Sequence, residues 1–176
     1  MKTKISILAL VFLTVLSCNE LDKLTEFDIT EDFDTTLHVS IPDNSEGMEY
    51  SFEETTTIDI ASNEDIQENL DLIENVTLNA LTYEISNFDG AEDTTITEAS
   101  INFADINISV ADINLKEADT NNTVFDIIDA EKLEDIASTL KSNNELTVTL
   151  TGIISDTPAT FDIIIILDTT FTIDVI

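Results

Sequence analysis

The chain has no arginine and no tryptophan, and only one histidine (His38) and one cysteine (Cys18). Its six basic residues are all lysines, set against 37 Asp and Glu. That imbalance excludes nucleic acid as a partner, because binding it requires Lys and Arg to neutralise phosphates. It equally disfavours electrostatic adhesion to anionic lipid headgroups. A single cysteine forms no internal disulfide, and one imidazole with no second thiolate is a poor basis for zinc. Stability must therefore come from packing. With three glycines and two prolines, the turns fall to Asn and Asp, which tolerate left-handed backbone and bond to nearby amides. No Gly-x-Ser-x-Gly motif occurs, and a triad would need a nucleophile and a carboxylate converging on His38. His38 reads as an exposed strand residue, and the sequence predicts no catalytic site. Glycoside hydrolysis needs two carboxyl groups about 5–10 Å apart, but among so many acids such pairs arise by chance. The aromatic faces that sugars favour are also scarce, with Tyr50 and Tyr83 the only tyrosines.

What is present is strongly patterned. Of the chain, 43% is apolar, too much for charge-driven disorder. Lys2 and Lys4 precede a predominantly apolar run, Ile5 to Leu16, after which the acidic residues begin. A bilayer-spanning helix needs about 20 such residues, so this shorter run has the profile of a secretory signal. Val15-Leu16-Ser17-Cys18 closes the run and resembles the lipobox of bacterial lipoproteins, with Val where Leu is commonest. The resemblance implies removal of residues 1–17 and acylation of the Cys18 sulfur and new amino group. Each buried methylene contributes about 0.8 kcal/mol, so several acyl chains anchor stably where one does not. Ordinary signal cleavage, leaving a free thiol, and retention of the segment as an anchor are the alternatives. In that family Asp after the cysteine favours the inner membrane; Asn19 implies the outer membrane. Glu20 and Asp22 partly resemble acidic surface-export tags. The expected location is thus the outer membrane or cell surface of a Gram-negative bacterium. The chain as a whole resembles small surface lipoproteins of Bacteroidota-type bacteria. The expected partners are the lipid bilayer, through the anchor, and an envelope protein.

Residues 18–26 read as a lipidated tether and 27–176 as one acidic domain. Residues 18–176 carry four lysines against all 37 acids, a formal charge of −33. Period-2 alternation predicts strands over 35–41, 48–60, 75–88 (bulged near Asn79-Ala80), 99–103 with 106–110, and 124–127. Ile113 and Leu115 shift parity again. The C-terminal segments, 146–154 and 161–175, read as a long antiparallel hairpin through Pro158. Ile164 and Ile166 on the second parity predict that the last strand is covered on both sides. Helix periodicity appears twice, after Ser62-Asn63 and after Asp129. These elements predict an all-β fold, a two-sheet antiparallel β-sandwich of immunoglobulin-like or jelly-roll topology with two short helices. No cofactor is expected beyond the covalent lipid. A structural calcium ion suits this acidic chain better than zinc, because it takes six to eight oxygens from carboxylates and carbonyls. Its candidates are Asp89, Glu92 and Asp93 in one loop, with Glu31-Asp32-Phe33-Asp34 as a second candidate loop; neither matches an EF-hand. The leading functional expectation is a non-enzymatic structural or interaction module at the cell envelope. The alternative is a glycan- or calcium-binding module of a surface nutrient-uptake system.

Overall fold

Alternation of large apolar residues with Thr, Asp and Asn runs through the chain, and it yields nine strands among the described residues. The computed structural model describes residues 25–43 and 50–175. Cys18, the signal segment 1–17, most of the tether and Met48 lie outside them. The elements are β1 (Glu26–Ile41), β2 (Tyr50–Asp59), α1 (Glu64–Gln67), β3 (Ile73–Gly90), β4 (Thr95–Phe103), β5 (Ile106–Val110), β6 (Ile113–Asn114), α2 (Leu115–Asn121), β7 (Val124–Asp126), α3 (Ala130–Asn143), β8 (Glu145–Ile154) and β9 (Ala159–Asp174).

The strands form two antiparallel sheets, ordered β1-β9-β3-β7 and β2-β8-β4-β5, with β6 added to β4. Without the short β6, the first strand pairs with the last, the second with the next to last, and so inward to the β4–β5 hairpin. This nested pairing is the jelly roll, so of the two topologies left open by the sequence the chain adopts that one. The core lies between the sheets. β9 supplies Phe161, Ile163, Ile165, Leu167, Phe171 and Ile173, all at most 1% exposed. Phe33 and Phe52 meet Phe171 and Phe161 edge-on, with ring centroids 6.0 and 5.7 Å apart. Burying each such side chain contributes about 1.5–3 kcal/mol. α3 packs Ile136, Ala137 and Leu140 inward, chiefly against β3, and also reaches β8 and β5, which ties the sheets together.

Several local expectations hold. The bulge falls between Leu78 and Ala80, and β4 pairs with β5 through Ala104-Asp105. The Asn63 side chain caps α1 by accepting from the amides of Asp65 and Ile66, and Asp129 caps α3. Asn87, Asn122, Asn144 and Asp112 take left-handed backbone, as does Ala104.

Other expectations are corrected. β8 and β9 are not a hairpin: β8 lies between β2 and β4, β9 between β1 and β3. The Ser155–Pro158 turn therefore carries the chain from one sheet to the other, because each strand finds two better partners elsewhere. The segment Glu31–Asp34 is not a loop but the middle of β1, which is 16 residues long. β9 is central, yet Ile164 and Ile166 are only half-buried on its outer face among the described residues. Among the described residues the α-helices number three. α2 was hidden because two turns bury only Leu115 and Ala118, while Asn114 caps it by accepting from Glu117 N at 2.7 Å.

Candidate functional site

Strand parity sends the even-numbered residues of β1 and β9 to the outer face of their sheet. There the register sets His38 against Asp162. His38 Nδ1 lies 2.6 Å from Asp162 Oδ1, and Asn87 Nδ2 donates to Asp162 Oδ2 at 2.8 Å. Asn87 reaches this position because it sits in a bulge of β3 with φ 55°. The His38 hydrogen bond, then that of Asn87, hold the Asp162 carboxyl below its ordinary 3.8. The His38 side chain is 69% exposed, as the strand pattern predicts. Among the described residues no hydroxyl bonds to its ring, so the group is a surface histidine–carboxylate–amide cluster and not a triad. Asp162 lies 124 residues from His38, and no local signal joins them.

Further along the same face, Asp32 stands directly opposite Asp168. Like charges so placed repel. Asn79 relieves one side by donating to Asp168 at 2.9 Å. Among the described residues β1 is also an edge strand, with β9 as its one ladder partner. Among the described residues the backbone of 27–41 bonds to no other backbone, so alternate N–H and C=O groups point outward along it. β2 runs beside β1 across the seam of the sandwich, linked by the Thr35 and Thr56 hydroxyls at 3.0 Å.

The outer face of the other sheet is different in chemistry. Thr55, Thr57, Thr147, Thr149, Thr151, Ser100, Asn102, Asn107 and Ser109 form a hydroxyl- and amide-rich surface, with adjacent strands about 4.8 Å apart. A shallow depression of about 750 Å³ opens on this sheet. Ser51, Ser100, Ser109 and Thr151 line it, with Glu53 and Glu98 among them and the backbone of Gly152 in its floor.

The calcium candidates are not brought together. Asp89 is the penultimate residue of β3, opposite Thr160, and Glu92 and Asp93 occupy the following turn, closed by Thr94 N donating to Ala91 O at 3.0 Å. In β1, alternation turns Glu31 to the face opposite Asp32 and Asp34. Among the described residues no three acidic, His or Cys side chains are grouped to hold a metal ion. One feature beside this turn was not legible in the sequence: Thr94 is fully buried and its hydroxyl has no hydrogen-bond partner among the described residues. Tyr83 stacks on Phe125 at 4.8 Å, and burial pushes its hydroxyl up to about 12.

No family model matches the chain, and no curated protein is similar to it. Solved structures that partly superpose include the decameric BFDV capsid protein, 7% identical with a TM-score of 0.41, covering 83% of this chain and 98% of that one. The 60-mer BFDV capsid protein is 9% identical with a TM-score of 0.45, covering 85% and 96%. Desmodium yellow mottle tymovirus is 12% identical with a TM-score of 0.36, covering 85% and 84%. The jelly-roll topology stands on the strand pairing itself.

Proposed function

We propose that the protein is a non-enzymatic lipoprotein of the bacterial envelope, held at the outer membrane through Cys18, whose jelly roll is an interaction module. The observation that carries the module is β1, a long edge strand whose residues 27–41 bond in backbone to β9 alone among the described residues. Such edges are docking surfaces unless they are blunted. The anchor rests on the Lys-flanked apolar run and Val15-Leu16-Ser17-Cys18. From Cys18 to Glu26 the chain spans no more than about 29 Å, so an acylated Cys18 keeps this edge close to the bilayer.

The anchor is tested by growing cells on a radioactive fatty acid. The wild-type chain takes up label and stays with membranes, whereas Cys18→Ala does neither; a labelled Cys18→Ala chain refutes the anchor. The module is tested by placing a photo-crosslinking residue at Thr36 of β1 or at Thr147 of the central strand β8. Adducts from Thr36 and none from Thr147 support the edge; the reverse pattern removes it.

A second reading, a glycan-binding module, draws on the depression with its four hydroxyls and the carboxylates Glu53 and Glu98. A polyol hydrogen-bonds to such groups. Calorimetric titration with a glycan panel and with Ca²⁺ tests it, and silence across both eliminates it.

A further inference from the structure

We infer that the β1 edge accepts a basic extended segment of another protein, which adds to the β1-β9-β3-β7 sheet as a further strand. The inference rests on the reading of β1 as the docking edge and adds the chemistry of the partner. Two independent features of β1 lead to it.

The first is geometric. Among the described residues, 27–41 present a row of backbone donors and acceptors with no backbone partner on the side away from β9. An added strand satisfies them with a ladder whose affinity comes from main-chain hydrogen bonds and whose specificity comes from alternate side chains.

The second is charge. Asp28, Asp32 and Asp34 follow one another along the outer face of β1, and Asp168 stands beside Asp32 on β9. Among the described residues no cation approaches them. The only ion pairs there are His38–Asp162 and Lys132–Asp129. Lys116, Lys132 and Lys141 all lie on α2 and α3. No cation among the described residues neutralises this row, and a segment carrying cationic side chains is complementary to it. In an added strand the side chains on that face recur every second residue, so the complementary segment carries Lys or Arg at alternate positions. Opposite charges placed across from each other in a sheet are favourable, like charges unfavourable. A second copy of this chain is the disfavoured occupant, because each copy carries a formal charge of −31.

The test uses the full-length protein in detergent and three nine-residue peptides. One alternates Lys with Thr or Val; one is the same peptide with every second backbone nitrogen methylated; one has Gln for Lys. The expected result is binding of the Lys peptide, with slowed amide exchange confined to residues 27–41. The methylated and Gln peptides bind at least ten-fold more weakly, and Asp32→Asn with Asp34→Asn weakens the Lys peptide at least three-fold. Equal binding of the methylated peptide overturns the proposal, since charge alone then accounts for it. Equal binding of the Gln peptide overturns the basic partner while leaving the edge intact as a docking site. Failure of all three peptides to protect β1 overturns both. A dimer in sedimentation that the Lys peptide displaces from β1 assigns the edge to a second copy instead and also overturns the proposal.

Discussion

Gly152 offers a direct test of how closely the two sheets are fitted. It sits on β8 between Phe52 of β2 and Ala99 of β4, all three facing inward. A Cβ at Gly152 would meet Phe52 Cζ at 2.5 Å, Phe52 Cε1 at 2.9 Å and Ala99 Cβ at 3.0 Å. The Phe52 ring has little room to retreat, because Phe161 meets it edge-on with centroids 5.7 Å apart. Two effects then compete in Gly152→Ala. Reduced freedom of the unfolded chain favours Ala by about 0.4–1 kcal/mol, and glycine normally weakens a strand interior. Overpacking costs about 1–3 kcal/mol. If the ring instead swings outward, the loss of its aromatic pair costs about 0.5–1.5 kcal/mol beyond the burial forfeited. Packing wins, and a net destabilisation of about 1–2 kcal/mol is expected. For a domain of this size that lowers Tm by roughly 2–4 °C per kcal/mol. Urea unfolding followed by far-ultraviolet circular dichroism measures it. The decisive comparison is with Phe52→Leu, which removes the ring: in that background Gly152→Ala should be neutral or stabilising, a coupling of at least about 1 kcal/mol. A Gly152→Ala protein as stable as wild type, or a cycle without coupling, refutes the account of this contact.

Further outcomes follow from the same physics. Thr94→Val removes a buried hydroxyl that has no partner among the described residues and should be neutral or stabilising by up to about 1 kcal/mol; a clear loss in urea unfolding would mean that the hydroxyl is bonded in solution. Asp162 has a depressed folded-state pKa, so its contribution is present above the ordinary carboxylate value and is lost as pH falls through the folded value. His38→Ala should move the Asp162 carboxyl resonance to titrate nearer 3.8 and reduce stability at pH 6 but not at pH 2. Tyr83 behaves in the opposite sense. Its hydroxyl titrates near 12 when folded, so stability should fall from about pH 10 upward with a slope approaching 1.4 kcal/mol per pH unit, and Tyr83→Phe should lose that fall. Leu140→Ala empties a fully buried site on α3 and should cost about 2–5 kcal/mol.

Much of the architecture was legible in the residues. Alternation is a local property, and each strand's own sequence states which of its side chains face inward: Leu37 and Val39 against His38, Leu146 and Val148 against Thr147. Caps and turns are equally local, so Asn63, Asp129 and Ala104-Asp105 were readable where they stand. The short α2 was not, since two turns carry too few apolar residues to show a period. The candidate sites were largely illegible for a different reason. Asp162 joins His38, Asp32 meets Asp168, and Ser51, Ser100 and Thr151 share one depression only through register between strands far apart in the chain.

By itself, then, the sequence determined an acidic, disulfide-free, all-β domain behind a lipobox-like segment, with the inward and outward faces of most strands. Composition and periodicity suffice for that, because they depend on neighbours one to four residues apart. Which strands pair was decided only by the tertiary structure. Pro158 marks a turn that is equally compatible with a hairpin or a crossing between sheets, and the choice went to the arrangement in which β8 and β9 each gain two partners. Among the described residues that same choice left β1 at an edge, with a row of backbone groups lacking a backbone partner beside carboxylates that no described cation neutralises.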